Sequence, residues 1–269
     1  MNDIVNDQPL THLGPAETRL AAAIGRPRTI AFTCIVSLAA LGWGACAFLQ
    51  ADVSPAWTNA FCLPALGGNG LADAALLFGM WAAMTLAMMV PTAGPMILTY
   101  AEIADTAARR AETVVSPLVL TAGYVVVWLT FAAAAALLQW LAIMSIGAPA
   151  VPRALAGLVL VGVGLYQFSP LKSACLARCQ RPFPFFFANW TNQTRGIFRL
   201  GLHQGLHCLG CCWALMILMF TAGAMNVIWM AGLGVAMTVE KLSTTNRFSR
   251  ALGAVLIALG AATLVLELR

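Results

Sequence analysis

The histidines and cysteines able to bind a metal ion are concentrated in one short segment, Gly201–Trp213. They are His203, His207, Cys208, Cys211 and Cys212. On an α-helix both histidines and Cys211 form one stripe, and Cys208 lies within about 60° of Cys211. Neutral imidazole and thiolate are ordinary ligands for zinc and copper. The segment therefore predicts a transition-metal site, although cysteine also packs as a small apolar residue and histidine can bond to a carbonyl group.

A second pair of thiols, Cys175 and Cys179, precedes this segment at a helical spacing of four residues. Three interpretations stay open for them. They are additional metal ligands, a redox-active dithiol, or two inert thiols kept reduced in the cytosol.

Methionines form a third pattern: Met80, Met84 and Met88 recur every four residues in a long apolar run that ends at Pro91. Thioethers select Cu(I), so this ladder could carry a copper ion along a helix. Methionine is also ordinary filler of apolar cores. The prolines at 91 and 95 free backbone carbonyl groups, which often line a site at membrane depth.

One acidic residue, Glu240, lies in a later apolar run at the predicted depth of the His/Cys stripe. It is a candidate for orienting a ligating histidine, as carboxylates around metal sites do. The default expectation for Glu240 is an ion pair with Lys241 or Arg250 at the membrane surface.

The elements that must position these residues are membrane helices. The chain has 269 residues, of which 61% are hydrophobic and 9% charged, whereas soluble domains carry about 25% charged residues. Runs of the length needed to cross about 30 Å of hydrocarbon recur along it, and they are too long for barrel strands. The sequence predicts an all-α, polytopic helical bundle with seven spans, at about 29–50, 74–101, 117–146, 151–168, 200–221, 224–241 and 250–267.

The distribution of basic residues gives the orientation. With the N-terminus in the cytoplasm, 13 of the 15 lysines and arginines fall on the cytoplasmic side, and only Arg153 and Arg269 do not. This asymmetry is typical of inner-membrane proteins. We therefore expect a cytoplasmic tail at 1–28 and a single membrane domain at 29–269.

Several of these segments together resemble a family of bacterial integral membrane proteins predicted to bind metal, which carry a domain of unknown function numbered 2182. The similar segments, in the family's order across roughly residues 75–245, are Met80–Pro91, Leu171–Pro182 with its two cysteines, His207–Trp213, Gly223–Met230 and Glu240–Lys241. The resemblance implies a polytopic protein of the bacterial inner membrane with a metal site at the His/Cys positions. It implies no particular reaction.

The leading hypothesis is a membrane protein that handles or transfers a transition metal near the cytoplasmic face, with copper first and zinc second. Its expected partners are the bilayer, the metal ion and a protein that donates or accepts the metal. The alternatives are a membrane thiol or metal oxidoreductase and an assembly subunit of a membrane complex. The chain lacks the basic face and aromatic platform of nucleic-acid-binding proteins. It has no recognisable catalytic motif, so its status as an enzyme stays open.

Overall fold

The computed structural model describes residues 26–51, 70–110, 112–146, 152–222, 227–243 and 245–267. Most of the predicted tail at 1–28 lies outside these residues, as do residues 223–226 at the start of the predicted sixth span. The described residues form ten helices and no strands. They are α1 (Pro27–Ala51), α2 (Gly70–Thr92), α3 (Gly94–Arg109), α4 (Pro117–Ile146), α5 (Arg153–Tyr166), α6 (Pro170–Gln180), α7 (Pro182–Ala188), α8 (Thr194–Ala222), α9 (Val227–Leu242) and α10 (Arg247–Glu267).

The helices confirm the all-α membrane architecture. Within the described residues, α1, α2, α4, α8 and α10 are long and apolar enough to cross a bilayer, and α5 with α6 makes a sixth candidate, bent by 63°. The 16 residues of α9 reach only about 24 Å at 1.5 Å per residue. The count of seven spans and the cytoplasmic N-terminus stay predictions.

Two predicted spans are interrupted. The run predicted at 74–101 is two helices, because α2 ends at Thr92 and α3 begins at Gly94, with Pro91 and Pro95 on either side of the break. The run predicted at 151–168 ends at Tyr166, and the chain turns at 167–169 into α6. Both interruptions lie next to the candidate metal ligands described below.

The bundle exposes apolar side chains and buries polar ones, as expected of a protein surrounded by lipid. Large apolar side chains such as Phe48, Leu138 and Leu266 are exposed, whereas Gln139 is buried and accepts a 2.7 Å hydrogen bond from the indole nitrogen of Trp81. Polar groups inside a membrane protein must find partners within it.

Glycines bring α4 and α8 into close contact. A Cβ atom on Gly201 would lie 2.1 Å from the carbonyl oxygen of Leu120, and one on Gly123 would lie 2.3 Å from that of Phe198. Two backbones can approach this closely only where both side chains are absent. The crossing fixes α8, which carries the cysteines, against the helix that carries Tyr124.

Candidate metal centre

Three thiols of α8 converge inside the bundle. The sulfur atoms of Cys208, Cys211 and Cys212 all lie within 4.8 Å of one another, and each residue is at most 2% exposed. The Cys211 and Cys212 sulfurs are 3.3 Å apart. Cys211 and Cys212 are neighbours, and both lie three or four positions after Cys208. A little more than one helical turn therefore carries all three thiols.

A fourth thiol comes from α6. The sulfur of Cys179 lies 4.0 Å from that of Cys211, and the same thiol also interacts with Cys208. Cys179 is half-buried, whereas the three α8 cysteines are enclosed. All seven described cysteines are free thiols. We name Cys179, Cys208, Cys211 and Cys212 the thiol cluster.

The spacing of the thiol cluster suits a metal ion. Sulfur atoms bound about 2.3 Å from one ion lie roughly 3.8–4.0 Å apart in tetrahedral or trigonal geometry. The Cys211–Cys212 and Cys179–Cys211 sulfur separations, 3.3 Å and 4.0 Å, lie within about 0.5 Å of these values. The cluster is therefore pre-arranged for a soft cation.

A buried ammonium group adjoins the cluster. The side chain of Lys241 donates to the Cys208 sulfur at 3.1 Å and to the Thr92 hydroxyl at 2.7 Å. Burying a thiolate is costly unless a positive charge accompanies it. Lys241 supplies that charge within the protein, which suits an anionic metal–thiolate complex.

A tyrosine holds Cys208 from the opposite helix. The Tyr124 hydroxyl donates to the Met89 carbonyl at 3.0 Å and lies 3.1 Å from the Cys208 sulfur. Thr92 also donates to the Met89 carbonyl, at 2.9 Å. The last turn of α2 is thus connected to the thiol cluster through Tyr124 and Lys241.

Glu240 lies next to the cluster but faces another partner. Both of its carboxylate oxygens lie 2.9 Å from the Lys172 ammonium nitrogen, and both side chains are 1% exposed. The expected ion pair with Lys241 or Arg250 is wrong, because Lys241 faces Cys208 and Arg250 forms no ion pair with the described residues. The carboxylate pairs with Lys172, and its role in orienting a ligating histidine stays a prediction.

The two histidines are not brought into the thiol group. His203 is exposed, and His207 is half-buried with its ring 6.4 Å from that of Phe185 in α7. Among the described residues, the only set of three or more ligand atoms within 4.8 Å of one another is the α8 cysteine set. As metal ligands the histidines stay predictions.

The remaining candidate ligands are Cys175 and the three methionines of α2. Cys175 packs on α8 at Gly210, where a Cβ atom would meet its sulfur at 2.6 Å, and it is not part of the three-cysteine set. Met80, Met84 and Met88 are buried in the core of the bundle. Met88 is one helical turn before Thr92, so the ladder runs along α2 towards the cluster.

A cavity of about 130 Å³ reaches the cluster. Its walls include Cys179, Cys208 and Lys241, together with Met96 and Gln204. Gln204 is 2% exposed, and its amide nitrogen has no hydrogen-bond partner among the described residues. The thiols of Cys179 and Cys208 therefore line one small cavity.

Two members of the site are not predicted from the sequence. The sequence indicates Lys241 only as a partner of Glu240, although the 100° between neighbouring helix positions predicts separate partners. Tyr124 carries one signal, a hydroxyl group inside an apolar span, where an unpaired polar group is costly. Nothing local to Tyr124 identifies Cys208 as its partner.

Comparison with known families supports metal handling. The family model described as PpoB2, a copper chaperone, matches residues 78–263, which include every cysteine of the thiol cluster. No curated protein and no solved structure matches the chain. The expectation of a metal-related family is confirmed, whereas domain 2182 in particular and a bacterial origin stay predictions.

Proposed function

Since the chain belongs to the PpoB2 copper chaperone family, we propose that it is a membrane protein that holds and transfers Cu(I) through the thiol cluster. The observation that carries this proposal is the convergence of three buried α8 sulfurs within 4.8 Å. Copper is the cargo, and two or three thiols of the cluster bind it at one time.

The charge and softness of the site favour Cu(I). Thiolate and thioether sulfur are soft donors, which suit Cu(I) better than hard cations. A Cu(I) ion with two thiolates carries one negative charge, which the Lys241 ammonium at 3.1 Å from Cys208 neutralises. Four thiolates around Zn²⁺ would leave one negative charge uncompensated in the interior.

The residues around the thiol cluster provide an entrance for the copper ion and a route along α2. Cys179 is half-buried and lines the cavity, so it is the first thiol that an incoming ion meets. The buried methionines Met80, Met84 and Met88 supply further sulfur donors along α2. Transfer to an acceptor protein then proceeds by exchange of one sulfur ligand for another, starting at Cys179.

Metal competition tests this proposal. The purified full-length protein is loaded with Cu(I) under reducing, oxygen-free conditions and titrated with the chelator bicinchoninate. We expect stoichiometric Cu(I) in the unmodified protein and in Cys34→Ser, which alters a half-buried thiol of α1. The double variant Cys208→Ser/Cys211→Ser loses the ion. Equal copper retention by the double variant would contradict the proposal, as would an unmodified protein that releases all its copper.

Thiol–disulfide exchange is the second candidate, favoured by the 4.0 Å between the sulfurs of Cys179 and Cys211 on different helices. Oxidation of this pair would pass two electrons and two protons to an acceptor of the quinone or disulfide class. Mass-spectrometric thiol counting after treatment with such acceptors separates the two functions, because a copper carrier keeps both thiols reduced during its cycle.

A further inference from the structure

A second cavity, of about 70 Å³, lies between the bend that joins α5 to α6 and the start of α10. Six of its lining residues matter for its chemistry: Gln167, Phe168, Ser169, Lys172, Ser249 and Arg250. None of these residues belongs to the thiol cluster. The cavity holds about two water molecules' worth of space, which suits one small oxyanion.

The orientation of one buried amide points to an acceptor ligand. Gln167 is 4% exposed, and its side-chain oxygen accepts hydrogen bonds from Lys172 and from Ser249, the latter at 3.2 Å. The Lys172 ammonium group can only donate, so it determines which end of the amide is oxygen. Its nitrogen is buried with no partner among the described residues. A buried donor in this state is costly, and a bound acceptor atom would satisfy it.

The charges around the cavity leave one net positive charge. Lys172 is neutralised by Glu240, because its ammonium directs its three donors to the two carboxylate oxygens and to Gln167. Arg250 is exposed and takes part in no ion pair with the described residues. Its guanidinium group is free to bind an anion in a bidentate way.

Two helices also begin at this cavity. Ser169 caps α6, which starts at Pro170, and Ser249 and Arg250 lie in the first turn of α10, which starts at Arg247. The free N–H groups and the dipole at a helix N-terminus favour negative charge. At α6 the Ser169 hydroxyl already accepts the Lys172 N–H, so the start of α10, the buried amide donor and the unpaired guanidinium group are the groups that face this small space.

We infer that this cavity binds a phosphate oxyanion, supplied by the headgroup of an anionic phospholipid. The lipid is favoured over free phosphate because the cavity lies where membrane helices α5 and α10 meet. Phe168 lines it and is 49% exposed. An acyl chain can lie along this apolar surface while the headgroup enters the cavity.

Native mass spectrometry of the full-length protein in detergent tests this inference. The probes are phosphatidylglycerol, phosphatidylcholine and inorganic phosphate, each added to delipidated protein. We expect one tightly held phosphatidylglycerol per chain, bound about tenfold more weakly in Arg250→Gln, since a lost charge-assisted hydrogen bond has an effect of this order. Gln167→Met should weaken binding similarly.

The matched control is Arg195→Gln, which removes one exposed positive charge at the start of α8, away from the cavity. It should bind phosphatidylglycerol as the unmodified protein does.

If the protein binds inorganic phosphate but no lipid, and Arg250→Gln weakens that phosphate binding, the oxyanion site is supported and free phosphate is its ligand. Absence of binding, or equal binding by Arg250→Gln and Arg195→Gln, would overturn the inference. Arg250 is exposed, so its variant folds even if Gln167→Met does not, and its Cu(I) content should be unchanged.

Discussion

The ammonium nitrogen of Lys241 lies 3.1 Å from the sulfur of Cys208, inside a bundle whose outer surface is apolar. The pair joins α9 to α8, and the Thr92 hydroxyl, 2.7 Å from the same nitrogen, adds α2. Three helices therefore meet at one thiol and one charge, and the first prediction concerns that charge.

Lys241→Met should weaken Cu(I) binding about tenfold or more. A hydrogen bond to a charged group contributes about 1.5–3 kcal/mol, and the thiolate complex would lose its buried counter-charge. Competition with bicinchoninate measures the change. The control is Thr92→Val, which removes the other acceptor of the same ammonium group without changing the charge. Equal affinities of the two variants would count against charge compensation by Lys241.

The two α6 cysteines should differ in their effect on copper. Cys179→Ser removes a sulfur 4.0 Å from Cys211 and should lower copper affinity and slow loading, because this half-buried thiol lines the cavity. Cys175→Ser should leave both unchanged, since Cys175 packs against Gly210 and does not line the cavity. Stopped-flow loading from a Cu(I)–chelator complex measures both properties. A reversed order would show that Cys175 is the entry ligand.

Breaking the buried ion pair should destabilise the fold. Glu240→Gln leaves the Lys172 ammonium buried without its counter-charge, which typically costs about 3–5 kcal/mol. We expect a clear fall in the melting temperature of the detergent-solubilised protein. The double variant Lys172→Met/Glu240→Met should recover much of the loss. Glu102→Gln, which affects an exposed pair with Arg28 at 3.7 Å, should change stability by at most about 1 kcal/mol. A Glu240→Gln protein as stable as this control would contradict the role of the pair.

The contact between α4 and α8 should tolerate no side chain at Gly201. Gly201→Ala places a methyl group 2.1 Å from a backbone oxygen of Leu120, so the helices must separate, at a cost of about 1–3 kcal/mol. Gly162→Ala, in α5, meets nothing within 4 Å and should be neutral or slightly stabilising. Thermal melts of the two variants compare them directly. Equal melting temperatures would refute the close crossing.

The sequence predicted the helical bundle because composition and run length leave few other solutions for so apolar a chain. It also predicted that Cys208 and Cys211 face the same side, since their separation follows from helix geometry alone. The same geometry places His203 about 140° from Cys208 around α8, so these two side chains leave the helix in different directions. Binding of the histidines to the same ion as the cysteines stays a prediction.

The contacts between distant segments could not be predicted from spacing. Cys179 reaches Cys211 only because the chain bends by 63° between α5 and α6. Lys172 meets Glu240 across 68 positions of the sequence, and Tyr124 meets Cys208 across 84. These contacts depend on how the helices pack, which a periodic pattern within one segment does not encode.

X-ray absorption at the copper edge of the Cu(I)-loaded protein tests the central claim most directly, because it reports the atoms bound to the ion. We predict a first shell of two or three sulfur atoms, without the outer-shell scattering of imidazole, and an unchanged spectrum in His203→Ala/His207→Ala. A nitrogen-containing shell that the histidine variant abolishes would contradict binding by the thiol cluster.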